Sequence, residues 1–400
     1  MPADFRDFLP YQGDIMKALA CAFLTAASAA LLPLAPVAAA DITVGITTSA
    51  TGPASALGIP QKNTVALLPP TLGGLPVRYV LLDDATDPTQ ASKNARRFVE
   101  ENKVDVVLGS STVSNTLALV DVIGEHRTPL ISLSPVVLPA EKERWVFRVP
   151  QHNGLMVGAI ADDMKAAGVA SVAMIGFADP FGESFMGEMR KALDAQGIKV
   201  LLAEKYNRND TSVMGQVMKI LAARPDAVLV AASGTPSVLP HVTLVERGYK
   251  GRIYQSHGAI GRDVLRVGGK AIEGGLYVTG PVVVGSQLQD SHPMKPVILD
   301  YVKRYEARYG ADSLSPHGGL VWDAYLLLDA AAQKAKDKAA PGTVKFRQAL
   351  RDALEGTRDV VGVYGVYNMS SSDHFGHDER ARVLVRVENG AYRLVDSRAP

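Results

Sequence analysis

Val104-Asp105-Val106-Val107-Leu108-Gly109-Ser110-Ser111-Thr112 is the stretch on which the fold turns. Val104 to Leu108 reads as a short strand, apolar except for Asp105, as befits a largely buried strand of a parallel sheet. Gly109-Ser110-Ser111-Thr112 ends it, a helix runs from about Val113 to Gly124, and another strand covers Pro129 to Ser132. Upstream, Ile42 to Thr47 and Val77 to Leu82 read as strands. Asp87-Pro88-Thr89-Gln90 then opens a helix: Asp87 caps, proline suits the first position, and Gln90 completes a capping box. The series is βαβαβαβ, which builds a doubly wound parallel sheet.

The pattern restarts after Phe147-Arg148-Val149-Pro150. Helices are expected over 154–167, 213–222 and 238–247, and strands over 171–175, 200–203, 227–231 and 253–255. Phe185, Met189 and Leu193 mark a further helix at i, i+4, i+8. The last part is helical over 296–309, 320–334 and 344–354. It closes with a hairpin of Val383 to Val387 and Tyr392 to Val395 around Glu388-Asn389-Gly390. The fold class is therefore α/β, with two doubly wound lobes and no flexible linker between them.

Composition narrows the function. The chain has 400 residues, 42 basic against 41 acidic, so no basic excess draws it to nucleic acid or anionic lipid. Met16-Lys17, the apolar run Ala18 to Ala40 and the ending Val37-Ala38-Ala39-Ala40 form a secretory signal peptide with cleavage after Ala40. Residues 1–15 read as an upstream extension, with Met16 as an alternative start. A membrane anchor is the competing reading, disfavoured by Pro33, Pro36 and the lack of a basic stop. Cys21 is the only cysteine and lies in the leader, so the mature chain has no thiolate metal site, disulfide or cysteine nucleophile.

No phosphate loop, nucleophile elbow or dinucleotide fingerprint follows the strands placed above. No catalytic residue, metal or cofactor is expected. Asp373-His374-Phe375-Gly376-His377-Asp378 has metal-ligand residue types, yet reads better as a polar turn with an aspartate capping its own backbone. What recurs is Ser, Thr and Gly directly after strands: Thr48-Ser49-Ala50-Thr51-Gly52-Pro53, Gly109-Ser110-Ser111-Thr112 and Ser132-Leu133-Ser134-Pro135. Ligands of open parallel sheets bind at such carboxyl ends, and hydroxyls with helix-start N–H groups suit a carboxylate. Taken singly, each loop is ordinary βα-loop chemistry.

With these loops in place, the chain resembles the Leu/Ile/Val-binding, type I periplasmic binding proteins of ABC importers. The likeness rests on Asp41-Ile-Thr-Val-Gly-Ile with Ser49-Ala-Thr-Gly-Pro and Leu57-Gly58. It continues through Leu82-Asp83-Asp84 with Asp87-Pro88, Val107 to Thr112, Pro129 to Ser132, Phe147-Arg148, Phe181-Gly182-Glu183-Ser184, Gly248-Tyr249 and Glu273-Gly274. It implies two lobes joined by a three-crossing hinge near Phe147, Gly275 and Val366. The N-terminal lobe would comprise 41–148 and 278–365, and the C-terminal lobe 149–277 and 366–400. It also implies a periplasmic monomer that hands its ligand to an ABC permease and, through it, to ATPase subunits. By the same resemblance Ser110, Ser111, Thr112 and the Leu133-Ser134-Pro135 loop would hold the ligand's carboxylate from the first lobe, with Leu57 beside it. Phe181, Thr235 and His257 would reach the ligand from the second.

Where amino-acid-binding members place an acid to pair the ligand's ammonium, this chain reads Tyr254-Gln255-Ser256-His257-Gly258. Neutral histidine partners a hydroxyl or carboxylate but is a poor partner for an ammonium. Leu57 and Phe181 stand at aromatic positions of the family, one without the ring and one without the hydroxyl. The expected ligand is an apolar or aromatic carboxylate. A branched-chain amino acid, a sensing role for a membrane receptor and an exported enzyme are the competing readings.

Overall fold

The structure is a computed structural model, and it describes residues 41–395. The leader, its extension and its cleavage site lie outside the described residues. Six strands form the first sheet: β1 (Ile42–Thr48), β2 (Thr71–Leu72), β3 (Leu75–Asp83), β4 (Val106–Leu108), β5 (Leu130–Ser132) and β6 (Val146–Arg148). Their order is β2-β3-β1-β4-β5-β6, all parallel except the β2–β3 hairpin. Gly73 and Gly74 turn that hairpin at φ 57° and 80°, the left-handed pair that a tight two-residue turn demands.

The second sheet takes β7 (Ser171–Phe177), β8 (Lys199–Tyr206), β9 (Ala227–Ala231), β10 (Arg252–Gln255) and β11 (Leu276–Thr279) in parallel. The short pair β12 (Val360–Val361) and β13 (Val366–Tyr367) stands apart. The hairpin β14 (Val383–Glu388) and β15 (Ala391–Leu394) extends the second sheet antiparallel to β11. Its order is β15-β14-β11-β10-β9-β7-β8. Each sheet, flanked by helices, makes one lobe, and the architecture is the two-lobe α/β fold expected.

Local chemistry explains most boundaries. Asp87 caps the helix Pro88–Arg96 by accepting the N–H groups of Thr89 at 2.6 Å and Gln90 at 3.2 Å. The reciprocal half of the capping box does not form. The Gln90 amide turns to Asn94 Oδ1, and the Asp87 N–H donates to the Asp84 carbonyl instead. Asp179 caps Pro180–Gln196 through the Gly182 N–H, and left-handed Gly197 ends that helix. In the 373–378 turn, Asp373 accepts the N–H groups of Phe375 and Gly376, while His374 stacks on Phe147 at 4.3 Å.

Apolar packing decides which helices belong with which sheet. Ile42, Val44, Ile46, Leu108 and Ile131 pack with Tyr301, Trp322, Leu327 and Phe346. The helices Lys295–Tyr309, Pro316–Ala335 and Val344–Glu355 therefore return to the first sheet although the second sheet precedes them in sequence. Val172, Met174, Val228 and Val230 share a core with Met156, Ile160, Phe185 and Leu193. Each such side chain contributes roughly 1.5–3 kcal/mol on burial. The chain crosses between sheets after Arg148, after Thr279, and between Glu355 and Val383. Among the described residues no helix is long and apolar enough to cross a membrane.

Candidate functional site

Between the sheets, at the carboxyl ends of their parallel strands, lies a cleft holding about 460 Å3 of atom-free space. From the first lobe its walls are Leu57, Ser111, Thr112, Val113, Leu133, Ser134 and Pro135. From the second come Phe181, Arg208, Ser233, His257 and Gly258, each just past the end of β7, β8, β9 or β10. Pro150, His317, Leu320 and Tyr364 close it at the crossings and the long helix. A site at the carboxyl edge follows from the topology of open parallel sheets.

Eight of the residues expected at the ligand line this cleft: Leu57, Ser111, Thr112, Leu133, Ser134, Pro135, Phe181 and His257. Ser110 and Thr235 are absent from the lining. Ser110 is fully buried behind it, where its hydroxyl donates to Asp84 Oδ2 at 2.6 Å. Thr235 opens the short 3-10 turn Thr235–Ser237 on the far side of Gly234. Gly234, at φ 63°, leaves room for Leu57 across the cleft. A Cβ there would stand 2.8 Å from the leucine Cδ1.

The serine and threonine hydroxyls are held by a network beneath the cleft floor. Asp84, fully buried at the end of β3, is its centre. Its carboxylate accepts from Ser49 Oγ and Asn115 Nδ2 at 2.7 Å each, from Ser110 Oγ, from Thr47 Oγ1 at 3.1 Å and from the Thr86 N–H at 3.1 Å. Ser111 Oγ donates to Gln61 Oε1 at 2.5 Å and accepts the Ser49 N–H at 2.9 Å. Thr112 Oγ1 caps its helix through the Asn115 N–H at 3.3 Å. Ser134 Oγ and Thr116 Oγ1 lie 2.7 Å apart.

His257 sits on the other wall, edge-on to Phe181 at 5.8 Å and tilted against Phe185 at 5.7 Å. Both its ring nitrogens are buried with no hydrogen-bond partner in the protein. Burial, helped by nearby His317 and His152, pushes its pKa down to about 3, so the ring is neutral at pH 7. His317 is likewise held down, to about 4, by burial. Its Nε2 faces the Ile260 carbonyl at 3.0 Å, which places the proton on that nitrogen. Arg208 donates through Nε to Asp179 Oδ2 at 2.8 Å and through Nη1 to Ser233 Oγ at 2.9 Å. Its plane lies 4.2 Å over Phe177.

The crossing that carries Tyr364 is fixed by Asp323, which accepts the Val363 and Tyr364 N–H groups at 2.7 and 2.9 Å and the Tyr367 hydroxyl at 2.8 Å. Tyr367 also reaches the Val149 carbonyl of the first crossing at 3.1 Å. Burial pushes the Asp323 carboxyl up to about 7.

Arg208, His317, Tyr364 and Asp84 were not among the sequence-derived site residues. Arg208 follows a strand, as the serine loops do, but in Asn207-Arg208-Asn209-Asp210 it reads as an ordinary polar turn. Asp84 also follows a strand, and only the fold shows that, besides Thr86 of its own turn, its partners converge from the end of β1 and from the loop and helix start after β4.

Two α/β lobes hinged around a cleft that takes its walls from both are the architecture of a receptor that closes on a small solute. A family model for the periplasmic binding proteins matches residues 41–391, and the chain belongs to that family. An extracellular ligand-binding receptor from Rhodopseudomonas palustris HaA2 superposes with a TM-score of 0.88 at 41% identity, over 89% of this chain and 100% of that one. Leu/Ile/Val-binding protein homolog 2 of Brucella abortus (strain 2308) is 26% identical over 266 residues, which is 63% of this chain and 70% of that protein. An R. palustris ABC-transporter solute-binding protein in complex with benzoate shares the fold, with a TM-score of 0.75 at 20% identity over 89% of this chain and 96% of that one. The chain is a type I periplasmic binding protein, as its resemblance implied.

Proposed function

We propose that this protein is the substrate receptor of an ABC importer and that it binds a small apolar or aromatic carboxylate in the interlobe cleft. One observation carries the ligand class: none of the residues lining the cleft is acidic. An amino acid brings an ammonium that must be paired once water is excluded, because an unpaired buried charge costs several kcal/mol. Neutral His257, with two unpartnered nitrogens, supplies a hydrogen bond to a carboxylate or hydroxyl oxygen and no countercharge for an ammonium. Leu57, Leu133, Pro135, Phe181 and Leu320 provide the apolar wall for the remainder of the ligand.

In this reading the lobes comprise 41–148 with 278–365 and 149–277 with 366 onward, and they close by rotation about the crossings. The exported protein works as a monomer in the periplasm, releases its ligand unchanged to a permease, and has no catalytic role. The relatives named for leucine, isoleucine and valine support a branched-chain amino acid as the second reading.

A thermal-shift screen separates the two. Benzoate-type acids are expected to raise the melting temperature, and leucine and valine to leave it unmoved. Stabilisation by leucine or valine without stabilisation by aromatic acids would sink the proposed ligand class.

A further inference from the structure

Resting on that reading, we propose that Arg208 is the counter-ion of the ligand's carboxylate, so that the anion is anchored from the second lobe. A carboxylate sealed into a closing cleft loses its hydration and must find charged or well-aimed donors. The hydroxyls of the first lobe are largely spent. Ser110 donates to Asp84 and Ser111 to Gln61, while Ser134 is paired with Thr116. Thr112 uses its oxygen to cap Asn115 and has no acceptor for its own hydrogen among the described residues.

Arg208 is the only lining residue with a permanent charge. Its guanidinium is held at three points, by Asp179, by Ser233 and by the face of Phe177. Those contacts use Nε and Nη1, and Nη2 has no acceptor among the described residues. Asp179 offsets part of the charge, but it also caps the helix Pro180–Gln196 by accepting the Gly182 N–H. Arg208 and Thr112 both line the cleft and also share the wall of an adjoining cavity beside Asn115 and Asp179. The two residues that carry unspent donors thus border one region from opposite lobes. A carboxylate taking both bridges the lobes, which makes recognition of the negative charge part of what stabilises the closed form.

The test is isothermal titration of the wild-type protein, Arg208→Gln and Arg208→Lys with two probes, benzoate and its uncharged analogue benzamide. The wild type is expected to prefer benzoate. Arg208→Gln should lose about tenfold or more of the benzoate affinity while holding benzamide within about threefold of wild type. Arg208→Lys keeps the charge without the fork and should fall between. Retained benzamide binding serves as the check that the variants are folded. Arg208→Gln binding benzoate as tightly as wild type would overturn the assignment, as would equal losses for both probes, which mark a purely structural residue. A wild type that takes leucine and no aromatic acid, or none of these probes, fails the ligand class itself, and the role of Arg208 falls with it.

Discussion

Replacing Asp84 with alanine tests whether the serine-rich loops are scaffold or contact surface. The carboxylate is fully buried and takes five hydrogen bonds, from Thr47, Ser49, Thr86, Ser110 and Asn115. Each donor left unpaired in the interior costs about 1–3 kcal/mol. Simple addition overshoots, because the three hydroxyls can rotate to other acceptors and a water can enter the space left by the carboxylate. The Asn115 amide and the Thr86 N–H are fixed by the helix start and the turn, so we expect Asp84→Ala to cost about 3–5 kcal/mol, the range for breaking a buried charged network. Asp84→Asn keeps the shape but turns an N–H2 toward some of those donors, and should cost about 2 kcal/mol. The assay is urea unfolding followed by far-UV circular dichroism, with the slope checked so that midpoints report stability. Benzoate affinity should drop in both variants, since Ser49 and Ser110 lead into the loop of Ser111 and Thr112. A loss below about 1 kcal/mol in Asp84→Ala would refute the view that these hydroxyls serve the fold first.

Two further outcomes follow from the site. Ser111→Ala and Ser134→Ala should each weaken benzoate binding without unfolding the protein, and unchanged affinity in both, by titration, would remove those loops from the ligand. Burial holds His241, His317 and His377 down to about 4 and His257 down to about 3, so all four fold as neutral rings. Unfolding restores the ordinary value of about 6.5; their contribution is therefore complete above that pH and shrinks as pH falls toward 4, by about 2 kcal/mol each at pH 5. Asp323, raised to about 7, shifts stability the opposite way over the same range, but it is one group against four. The urea midpoint should fall between pH 8 and pH 5, and equal midpoints would contradict the buried neutral histidines.

Much of this molecule is legible locally. Val106 to Leu108 and Leu130 to Ser132 are short apolar runs ended by Ser or Gly, and they pair in parallel at the expected place. Asn389-Gly390 announces its hairpin because both residues tolerate positive φ, and they adopt 52° and 70°. Leu276–Thr279 went unread as a strand although Gly274-Gly275 and Gly280-Pro281 bracket it, because a run of only four residues carries little periodicity; its place comes from pairing with β10 and β14. The site divides in the same way. Loops at strand ends are visible in sequence, so Ser111 and Ser134 could be named, and the family resemblance added His257. Arg208 was hidden in what reads as an ordinary polar turn after β8, and His317 enters the cleft only through the docking of its helix. Ser110 shows the converse limit: adjacent to two lining residues, it points into the network beneath them, and only the position of Asp84 decides which way it faces.

The acids behind the cleft walls bear on selectivity as well. A carboxylate has about four lone-pair sites, and Asp84 already serves five donors. Asp179 is divided between Arg208 and its helix N-terminus. Asp323 is committed to the crossing that carries Tyr364, and burial favours its protonated form. Each of these three carboxylates is thus already engaged in holding the fold. Recruiting one for a zwitterionic ligand would break internal hydrogen bonds worth about 1–3 kcal/mol apiece before any gain from binding. On the proposed reading, preference for an anion without an ammonium would therefore arise from how the two lobes are built as much as from the neutral histidine in the lining.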